Sequence, residues 1–252
     1  MSDRGFVYLV GAGPGDPKLL TLRALEVLQS ADVVAHDELV SPAILELVPA
    51  HVERLRVGRR HGSGKAAYRL HPSVLDRARA GAVVARLKSG DPLIFGRGGE
   101  EAEELAEAAI PYEIIPGVSA ALGAAAYARI PLTHRSHAAR VTFMTGHDVE
   151  ALAADPGETV VLFMAAHKLK ANLERLISDG RSPSLPAAYV ASATTPEQRV
   201  VVGTLGDLHE RIDGVDTFAP ALIIVGEVVA LRARLAEVGR LSSDPGATVD
   251  GP

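Results

Sequence analysis

Short, mainly apolar segments that end in a glycine-rich or polar turn and lead into a helical segment recur along the chain. Phe6–Val10 stops at a glycine, Val83–Leu87 precedes a glycine-rich stretch, and Tyr112–Ile115 stops at Pro116-Gly117. Runs of this length predict buried parallel strands. Strands that alternate with helices predict α/β layers, in which ligands bind beyond the carboxyl ends of the strands.

The second half of the chain repeats this alternation. Val141–Met144, Thr159–Phe163 and Ala221–Val225 predict strands, and residues 168–178 carry leucines at the spacing of an amphipathic helix. Arg199–Val202 followed by a glycine indicates a hairpin. The second sheet is therefore predicted to be mixed.

We predict two α/β lobes with a boundary near Ile130–Arg135, where regular patterns are weakest. The N-terminal domain then covers residues 1–133 and the C-terminal domain residues 134–240. Residues 241–252 form a polar tail that is predicted to be disordered. Because the glycine-rich segments follow strands, we expect the active site to open in the cleft between the two lobes.

Composition argues against several classes of protein. The 252 residues include 47% apolar and 23% charged residues, with a net charge of −5. These values are typical of a globular protein and argue against a nucleic-acid binder, which needs a basic surface. The chain has no cysteine, which excludes disulfides and favours a reducing cytoplasm.

Membrane and metal binding are not predicted. No apolar run approaches the roughly 20 residues of a membrane helix, and the residues after Met1 do not resemble a signal peptide. No metal is predicted, because the histidines are isolated and no pair of them has the spacing of a zinc motif. These histidines are His134, His137, His147 and His167.

The first glycine-rich loop, Gly11–Pro17, follows a strand and precedes a helix, as a dinucleotide-binding loop does. Asp16 replaces the third glycine of that motif and would place a negative charge where pyrophosphate binds, and Pro14 removes a backbone donor. Three interpretations stay open: a dinucleotide site, a tight turn without a ligand, and a loop that lets a ligand without phosphate approach the backbone.

The segment Arg86–Gly99 also follows a strand. Asp91 is held between Gly90 and Pro92, and three cations lie nearby in the sequence: Arg86, Lys88 and Arg97. The pattern favours a site for a polar, partly cationic small molecule beside an anionic one. Turn geometry alone is the alternative explanation of the glycines.

Two further strand ends carry polar residues. In Pro116–Ala121, Ser119 has the position of a helix N-cap and is also a candidate ligand contact. In Val34–Val40, three ionisable residues follow a strand, and a solvated loop is the simplest interpretation. Asp37 is the best candidate there for acid–base work, because partial burial tunes a carboxylate for proton transfer.

Taken together, the motifs resemble the tetrapyrrole methylases, and within that family the uroporphyrinogen-III C-methyltransferases. The resemblance runs from about Phe6 to Leu235. It rests on Gly11–Asp16, Arg86–Pro92 with Phe95–Gly98, and Pro116–Ala121, and extends to Ile130–Arg135, Pro196–Val201 and Pro220–Gly226.

The resemblance implies a cytoplasmic homodimer that binds S-adenosylmethionine between two α/β lobes and releases S-adenosylhomocysteine. It implies two methylations of pyrrole carbons of uroporphyrinogen III, which give precorrin-2 for sirohaem and cobalamin. The acid–base pair falls on Asp37 and Arg59. The cofactor contacts fall on residues of both lobes: Pro14, Ser89, Gly90, Asp91, Ile94, Ser119, Ala120, Met164, Ala193 and Ala221.

Three positions depart from the family pattern. Ser89 stands where the family usually has a glycine and Ala193 where some members have one, and both are small enough for a main-chain contact. Arg59 stands where the family has a lysine. A guanidinium stays protonated at neutral pH, so we expect Arg59 to bind a substrate carboxylate and not to donate a proton.

The carboxylates of such a substrate require cations despite the net charge of −5. We expect basic side chains along one side of the cleft to bind them: Arg59, Arg60, His61, Arg86, Lys88, Arg97, Arg129, His134 and Arg135.

Three other functions stay open. One is a later methylase that acts on a different precorrin. Another is an NAD-dependent oxidoreductase, which would need glycine at position 16. The third is a binding module without catalytic activity, which the Arg59 departure would favour.

Overall fold

A computed structural model of the protein describes residues 5–58, 70–147, 155, 157–212 and 219–238. The chain forms two compact units: residues 1–123 with Ser192–Gln198, and residues 124–191 with those from Arg199 onward. The division differs from the predicted boundary at 133/134. Arg129 Nη1 donates to the carbonyl of Ala236, 2.8 Å away, and this bond ties the segment before residue 133 to the last helix of the second unit.

The first unit contains a five-stranded parallel sheet in the described residues. The strand order is β3-β2-β4-β1-β5. The strands are β1 (Phe6–Gly11), β2 (Val33–His36), β3 (Glu53–Arg56), β4 (Val83–Lys88) and β5 (Tyr112–Ile115). The helices are α1 (Leu22–Ser30), α2 (Pro42–Leu45), α3 (Pro72–Arg79), α4 (Gly98–Glu107) and α5 (Ala120–Ala128), the last of which continues into the second unit.

Apolar side chains cover both faces of this sheet. Val10 belongs to one buried cluster with Leu28 and Ile44, whereas Leu9 belongs to another with Leu105. Neighbouring residues of β1 therefore point to opposite faces, and both faces are dry. Burial on both faces explains why β1 is an uninterrupted apolar run, as predicted for a parallel strand.

The second unit contains a mixed sheet with the order β6-β7-β10-β8-β9. Its strands are β6 (Arg140–Thr145), β7 (Glu158–Phe163), β8 (Pro186–Ala191), β9 (Arg199–Thr204) and β10 (Ala221–Val225). Its helices are α6 (Leu169–Ser178), α7 (Leu208–Arg211) and α8 (Leu231–Val238). The prediction of a mixed sheet is confirmed, because β6 and β7 are parallel whereas β9 runs antiparallel to β8.

Two elements of the first unit lie outside the sequence predictions. Strand β3 has the sequence Glu-Arg-Leu-Arg and forms one edge of the sheet. Edge strands are commonly short and charged, so β3 lacks the apolar signal of a central strand. Helix α3 begins at Pro72, and the Nδ1 atom of His71 accepts the Ser73 N–H, a type of cap that the search for Ser, Thr, Asp and Asn misses.

In the part of the chain that the structure describes, no helix is long and apolar enough to cross a membrane. The same residues contain no group of three or more His, Cys, Asp or Glu side chains arranged to hold a metal ion.

Candidate active site

The predicted motifs of the first unit meet at one edge of its sheet. All five strands run parallel, so their carboxyl ends lie together. The strand order places β4 between β2 and β1, with β5 on the other side of β1. Asp37, Ser89–Asp91, Gly11–Asp16 and Pro116–Ala120 therefore follow neighbouring strands, and this group of loops is called the carboxyl edge below.

The loops after β1 and β4 are joined by their backbones. The Gly13 N–H donates to the carbonyl of Gly90 at 3.1 Å, and the Gly90 N–H donates to the carbonyl of Gly13 at 2.8 Å. Both residues have left-handed backbones, with φ of 73° and 71°, which glycine adopts without strain. These two glycines are thus required by a bridge between loops.

The loop after β5 packs against the same bridge. A Cβ atom at Gly117 would lie 2.3 Å from the carbonyl oxygen of Gly90 and 2.8 Å from Cα of Gly11. Such distances leave no room for a side chain, so the ends of β1, β4 and β5 are in direct backbone contact.

Asp91 fixes two of these loops. Its Oδ1 accepts the Leu93 N–H at 2.8 Å, and its Oδ2 accepts the Gly117 N–H at 3.0 Å. Each carboxylate oxygen therefore already has a backbone donor. Asp91 links the loop after β4 to the loop after β5.

The first glycine-rich loop is closed by its own aspartate and by the segment Ser192–Gln198. Oδ1 of Asp16 accepts the Lys18 N–H at 2.8 Å and caps a short 3₁₀ helix, Pro17–Leu19. The Asp16 N–H donates to Oγ1 of Thr194 at 3.0 Å. The carboxylate thus caps this helix, and its charge disfavours pyrophosphate there.

Pro14 and Ala193 also lie in this region. A Cβ atom at Gly123 would come within 2.5 Å of Cγ of Pro14, so the proline ring lies against α5. Ala193 is half-buried between Ser192 and Thr194, which both have positive φ values, 46° and 67°. The Thr194 N–H donates to Oε1 of Gln198 at 2.8 Å and holds this segment in its turn.

Ser119 and Ala120 begin α5 at the carboxyl edge. Ser119 is buried, and its Oγ atom lies 3.4 Å from the Ala121 N–H, as expected for the N-cap. On the loop after β4, Ile94 is exposed together with its neighbours Leu93 and Phe95. The carboxyl edge thus has small side chains at the start of α5 and exposed apolar side chains on the loop after β4.

A buried row of alternating charges lies beside this edge. Arg86 Nη2 donates to Oδ1 of Asp37 at 2.6 Å and to Oε1 of Glu101 at 3.1 Å, and Lys88 Nζ donates to the same Glu101 oxygen at 2.8 Å. Arg86, Lys88 and Glu101 are only 4%, 2% and 3% exposed. The expectation that Arg86 and Lys88 bind substrate carboxylates is therefore wrong, because carboxylates of the protein already neutralise them.

Burial and neighbouring charges shift two of these groups. Burial lowers the pKa of Lys88, and the adjacent Arg86 guanidinium adds to this effect. Burial also acts against the charged form of Arg86, but Glu101 and Asp37 outweigh it and raise the pKa of Arg86. Arg86 is thus a permanent cation, and its Nη2 atom contacts the carboxylate of Asp37.

Glu101 is absent from the sequence predictions. It lies in the first turn of α4 beside the buried residues Ala102 and Leu105. A carboxylate on the apolar face of an amphipathic helix was the available signal, since buried carboxylates are rarely found without a partner.

The other predicted cations have varied positions. Arg59, Arg60 and His61 lie outside the described residues. Arg97 is half-buried just before α4, with a left-handed backbone. In the second unit, Arg129 donates to Ala236, Nδ1 of His134 accepts the Ser136 N–H, and Arg135 is exposed.

Two predicted cofactor residues belong to the second unit. Met164 follows β7, is 43% exposed and has a φ of 55°. Ala221 begins β10, where Leu222 lies opposite Phe163 in the antiparallel register. If this antiparallel register is extended by one residue, Ala221 lies opposite Met164. The two residues therefore lie close together where β7 ends and β10 begins.

Comparison with known proteins assigns the chain to a family of enzymes. The family model of the tetrapyrrole (corrin/porphyrin) methylases matches residues 7–209. The chain belongs to this family. The α/β fold and the predicted methyltransferase class both agree with membership of this family.

Particular relatives are similar over most of the chain. A siroheme synthase from Ectopseudomonas mendocina (strain ymp) is 50% identical over 240 residues, which are 92% of this chain and 52% of that protein. The chain thus spans about half the length of the curated relatives it matches.

Two solved structures from Thermus thermophilus are also similar. A uroporphyrin-III-C-methyltransferase matches with a TM-score of 0.78 and 42% identity, over 93% of this chain and 97% of that chain. A uroporphyrin-III C-methyl transferase complexed with S-adenyl homocysteine matches with a TM-score of 0.75 and 37% identity, over 90% of this chain and 100% of that chain.

Proposed function

We propose that the protein transfers methyl groups from S-adenosylmethionine to two pyrrole carbons of uroporphyrinogen III and so forms precorrin-2. The observation that carries this proposal is the 42% identity to a uroporphyrin-III-C-methyltransferase over 97% of that enzyme's chain. Precorrin-2 is a precursor for sirohaem, in agreement with the name of the siroheme synthase relative.

The residues of the carboxyl edge fit S-adenosylmethionine. Ser89, Gly90, Ser119 and Ala120 are small, which allows a ligand to reach the backbone, and Ile94 adds exposed apolar surface. Asp16 and Pro14 make the first loop unfavourable for pyrophosphate but acceptable for a donor that carries a sulfonium and no phosphate. We propose the residues that the family resemblance implies as cofactor contacts: Pro14, Ser89, Gly90, Asp91, Ile94, Ser119, Ala120, Met164, Ala193 and Ala221.

When bound, S-adenosylmethionine supplies an electrophilic methyl group. A pyrrole carbon provides the electron pair for the new C–C bond, the C–S bond breaks, and the sulfur keeps its electrons. The protein's own contribution is to position the reactants, which well-oriented reactions show to be worth about 7–11 kcal/mol.

We propose Asp37 as the base that removes a proton from the methylated macrocycle. Its side chain is 22% exposed, so the proton can pass on to water. The Arg86 guanidinium donates a hydrogen bond to Oδ1 of Asp37 at 2.6 Å and so fixes the position of the carboxylate that is to accept the proton.

The proposal is tested with purified protein, S-adenosylmethionine and uroporphyrinogen III under reducing conditions. Mass spectrometry should detect a product with two added methyl groups and an equivalent amount of S-adenosylhomocysteine. If no methylated product forms from uroporphyrinogen III but one forms from precorrin-2 or a later precorrin, the protein is a different methylase of the same family.

We further propose a cytoplasmic homodimer. Support for the compartment is the absence of cysteine from the sequence, which suits a reducing environment. Light scattering on the purified protein should give twice the chain mass of 26.4 kDa.

A further inference from the structure

The row of four charged side chains beside the carboxyl edge has one partly exposed end and is otherwise buried. It begins at Asp37, whose side chain is 22% exposed, and continues through Arg86 and Glu101 to Lys88, whose side chains are at most 5% exposed. Signs alternate along the row, so its net charge is zero when all four groups are ionised. The one member that solvent reaches is the proposed base.

Hydrogen bonds to one backbone carbonyl hold Arg86 and Asp37 next to each other. The Asp37 N–H donates to the carbonyl of Leu87 at 3.4 Å, and Arg86 Nη1 donates to the same carbonyl at 3.2 Å. The guanidinium is therefore anchored to β4 and reaches Asp37 at the end of β2. Its contact with Asp37 is shorter than its contact with Glu101, 2.6 Å against 3.1 Å.

Stability alone does not explain the row. Buried ion pairs are often replaced by apolar side chains without loss of stability, because desolvation offsets the attraction. Here the desolvation is incompletely compensated, since Oε2 of Glu101 and Nε of Arg86 have no hydrogen-bond partner among the residues that the structure describes. An incompletely satisfied buried network next to a functional group points to a role in function.

We propose that Arg86 is a positioning residue for Asp37, and that Glu101 holds Arg86 in place; the proposal rests on the role of Asp37 in the proposed function. Lys88 takes part of the charge of Glu101, because both cations bind the single oxygen Oε1. Arg86 thereby keeps its shorter bond for Asp37. The row fixes the orientation of the base.

A double-mutant cycle tests this proposal. Arg86→Gln should lower kcat by about 10-fold to 100-fold. This loss is at or below the lower end of the roughly 10²–10⁴-fold contribution of acid–base catalysis, because the base itself is still present. The affinity for S-adenosylhomocysteine should be unchanged. In the Asp37→Asn background the same change should cost less than about 2-fold, because the group that Arg86 orients is already disabled. Losses that multiply across the cycle would overturn the proposal.

Two further variants keep the test informative if Arg86→Gln fails to fold. Arg86→Lys preserves the charge and should recover part of kcat. Glu101→Gln should lower kcat through Arg86, and it too should have little effect once Asp37 is replaced. Full activity in both variants would overturn the proposal.

The second unit offers a matched control. Arg181 and Glu158 form a buried ion pair at 2.9 Å, with side chains 4% and 8% exposed. Arg181→Gln should reduce stability and leave kcat per folded molecule unchanged. If the unaltered protein fails to methylate uroporphyrinogen III, the proposed function fails; if it methylates but the cycle is multiplicative, only the role of Arg86 fails.

Discussion

Gly13 and Gly90 donate hydrogen bonds to each other through their backbones, although they belong to loops that follow different strands. The bridge explains two glycines without any ligand. The sequence left open whether the first glycine-rich loop serves a turn or a ligand. The backbone contacts show that these glycines, together with Gly11 and Gly117, hold the loops against one another.

The contact between Gly117 and Gly90 predicts a large effect of a single methyl group. Gly117→Ala places Cβ 2.3 Å from the Gly90 carbonyl oxygen and should destabilise the protein by about 1–3 kcal/mol, as overpacking does. Urea unfolding measures this loss. Gly99→Ala is the matched control, because nothing lies within 4 Å of its Cβ; it should be neutral or stabilising by up to about 1 kcal/mol. Equal effects of the two changes would contradict the contact.

Asp91 is predicted to support cofactor binding as a contact and by joining two loops of the carboxyl edge. Asp91→Ala removes the acceptor of both the Leu93 and Gly117 N–H groups, at about 1.5–3 kcal/mol for hydrogen bonds to a charged group. We expect lower stability and about 10-fold weaker binding of S-adenosylhomocysteine in calorimetric titration. Asp91→Asn keeps one acceptor and should have a smaller effect. Unchanged affinity in both variants would limit Asp91 to a structural role.

Asp37→Asn separates binding from turnover. The amide keeps the size of the side chain and removes its ability to accept a proton, so kcat should fall by about 10²–10⁴-fold. Binding of S-adenosylhomocysteine should be unchanged, which titration calorimetry measures. Full turnover in this variant would remove Asp37 from the mechanism.

We predict that Asp207 makes the stability of the second unit depend on pH in acid solution. Hydrogen bonds from Arg211 and from the Thr204 N–H lower the pKa of Asp207 from 3.8 to about 2. A carboxylate with a lowered pKa stabilises the fold above its unfolded value, and this contribution is lost as the pH falls from about 4 to about 2. Because the side chain is 35% exposed and solvent screens its ion pair with Arg211, we expect a contribution to the free energy of unfolding of less than about 1 kcal/mol.

Urea unfolding of Asp207→Asn at several pH values checks this contribution. The difference from the unaltered protein should be complete at pH 7 and should disappear toward pH 2. A difference that stays constant over this range would show that the carboxylate charge is not involved.

The sequence predicted β1 and β4 because these central strands are buried, and it predicted β5 because a Pro-Gly turn ends it. The predicted bounds of these three strands differ from those observed by one residue at most. β3 and α3 were missed because an edge strand may be charged throughout and a histidine cap is uncommon. The fold could thus be predicted wherever burial determines composition.

Charged side chains were the harder part of the site. Arg86 and Lys88 lie two residues apart on β4 and suggest an anion-binding surface, yet both point into the protein toward Glu101. The partner is a helix residue 13 to 15 positions away. No local pattern reveals such a pairing, because it depends on how α4 packs against the sheet.

The segment Ser192–Gln198 makes the first unit discontinuous along the chain. Thr194, which accepts the Asp16 N–H, is encoded far downstream of the loop that it completes. A fragment that ends at residue 123 would therefore contain the first loop but lack the Thr194 hydroxyl that accepts the Asp16 N–H. The first unit is therefore not one continuous stretch of the gene, and recombination that cuts it at residue 123 would separate Pro14 from Ala193.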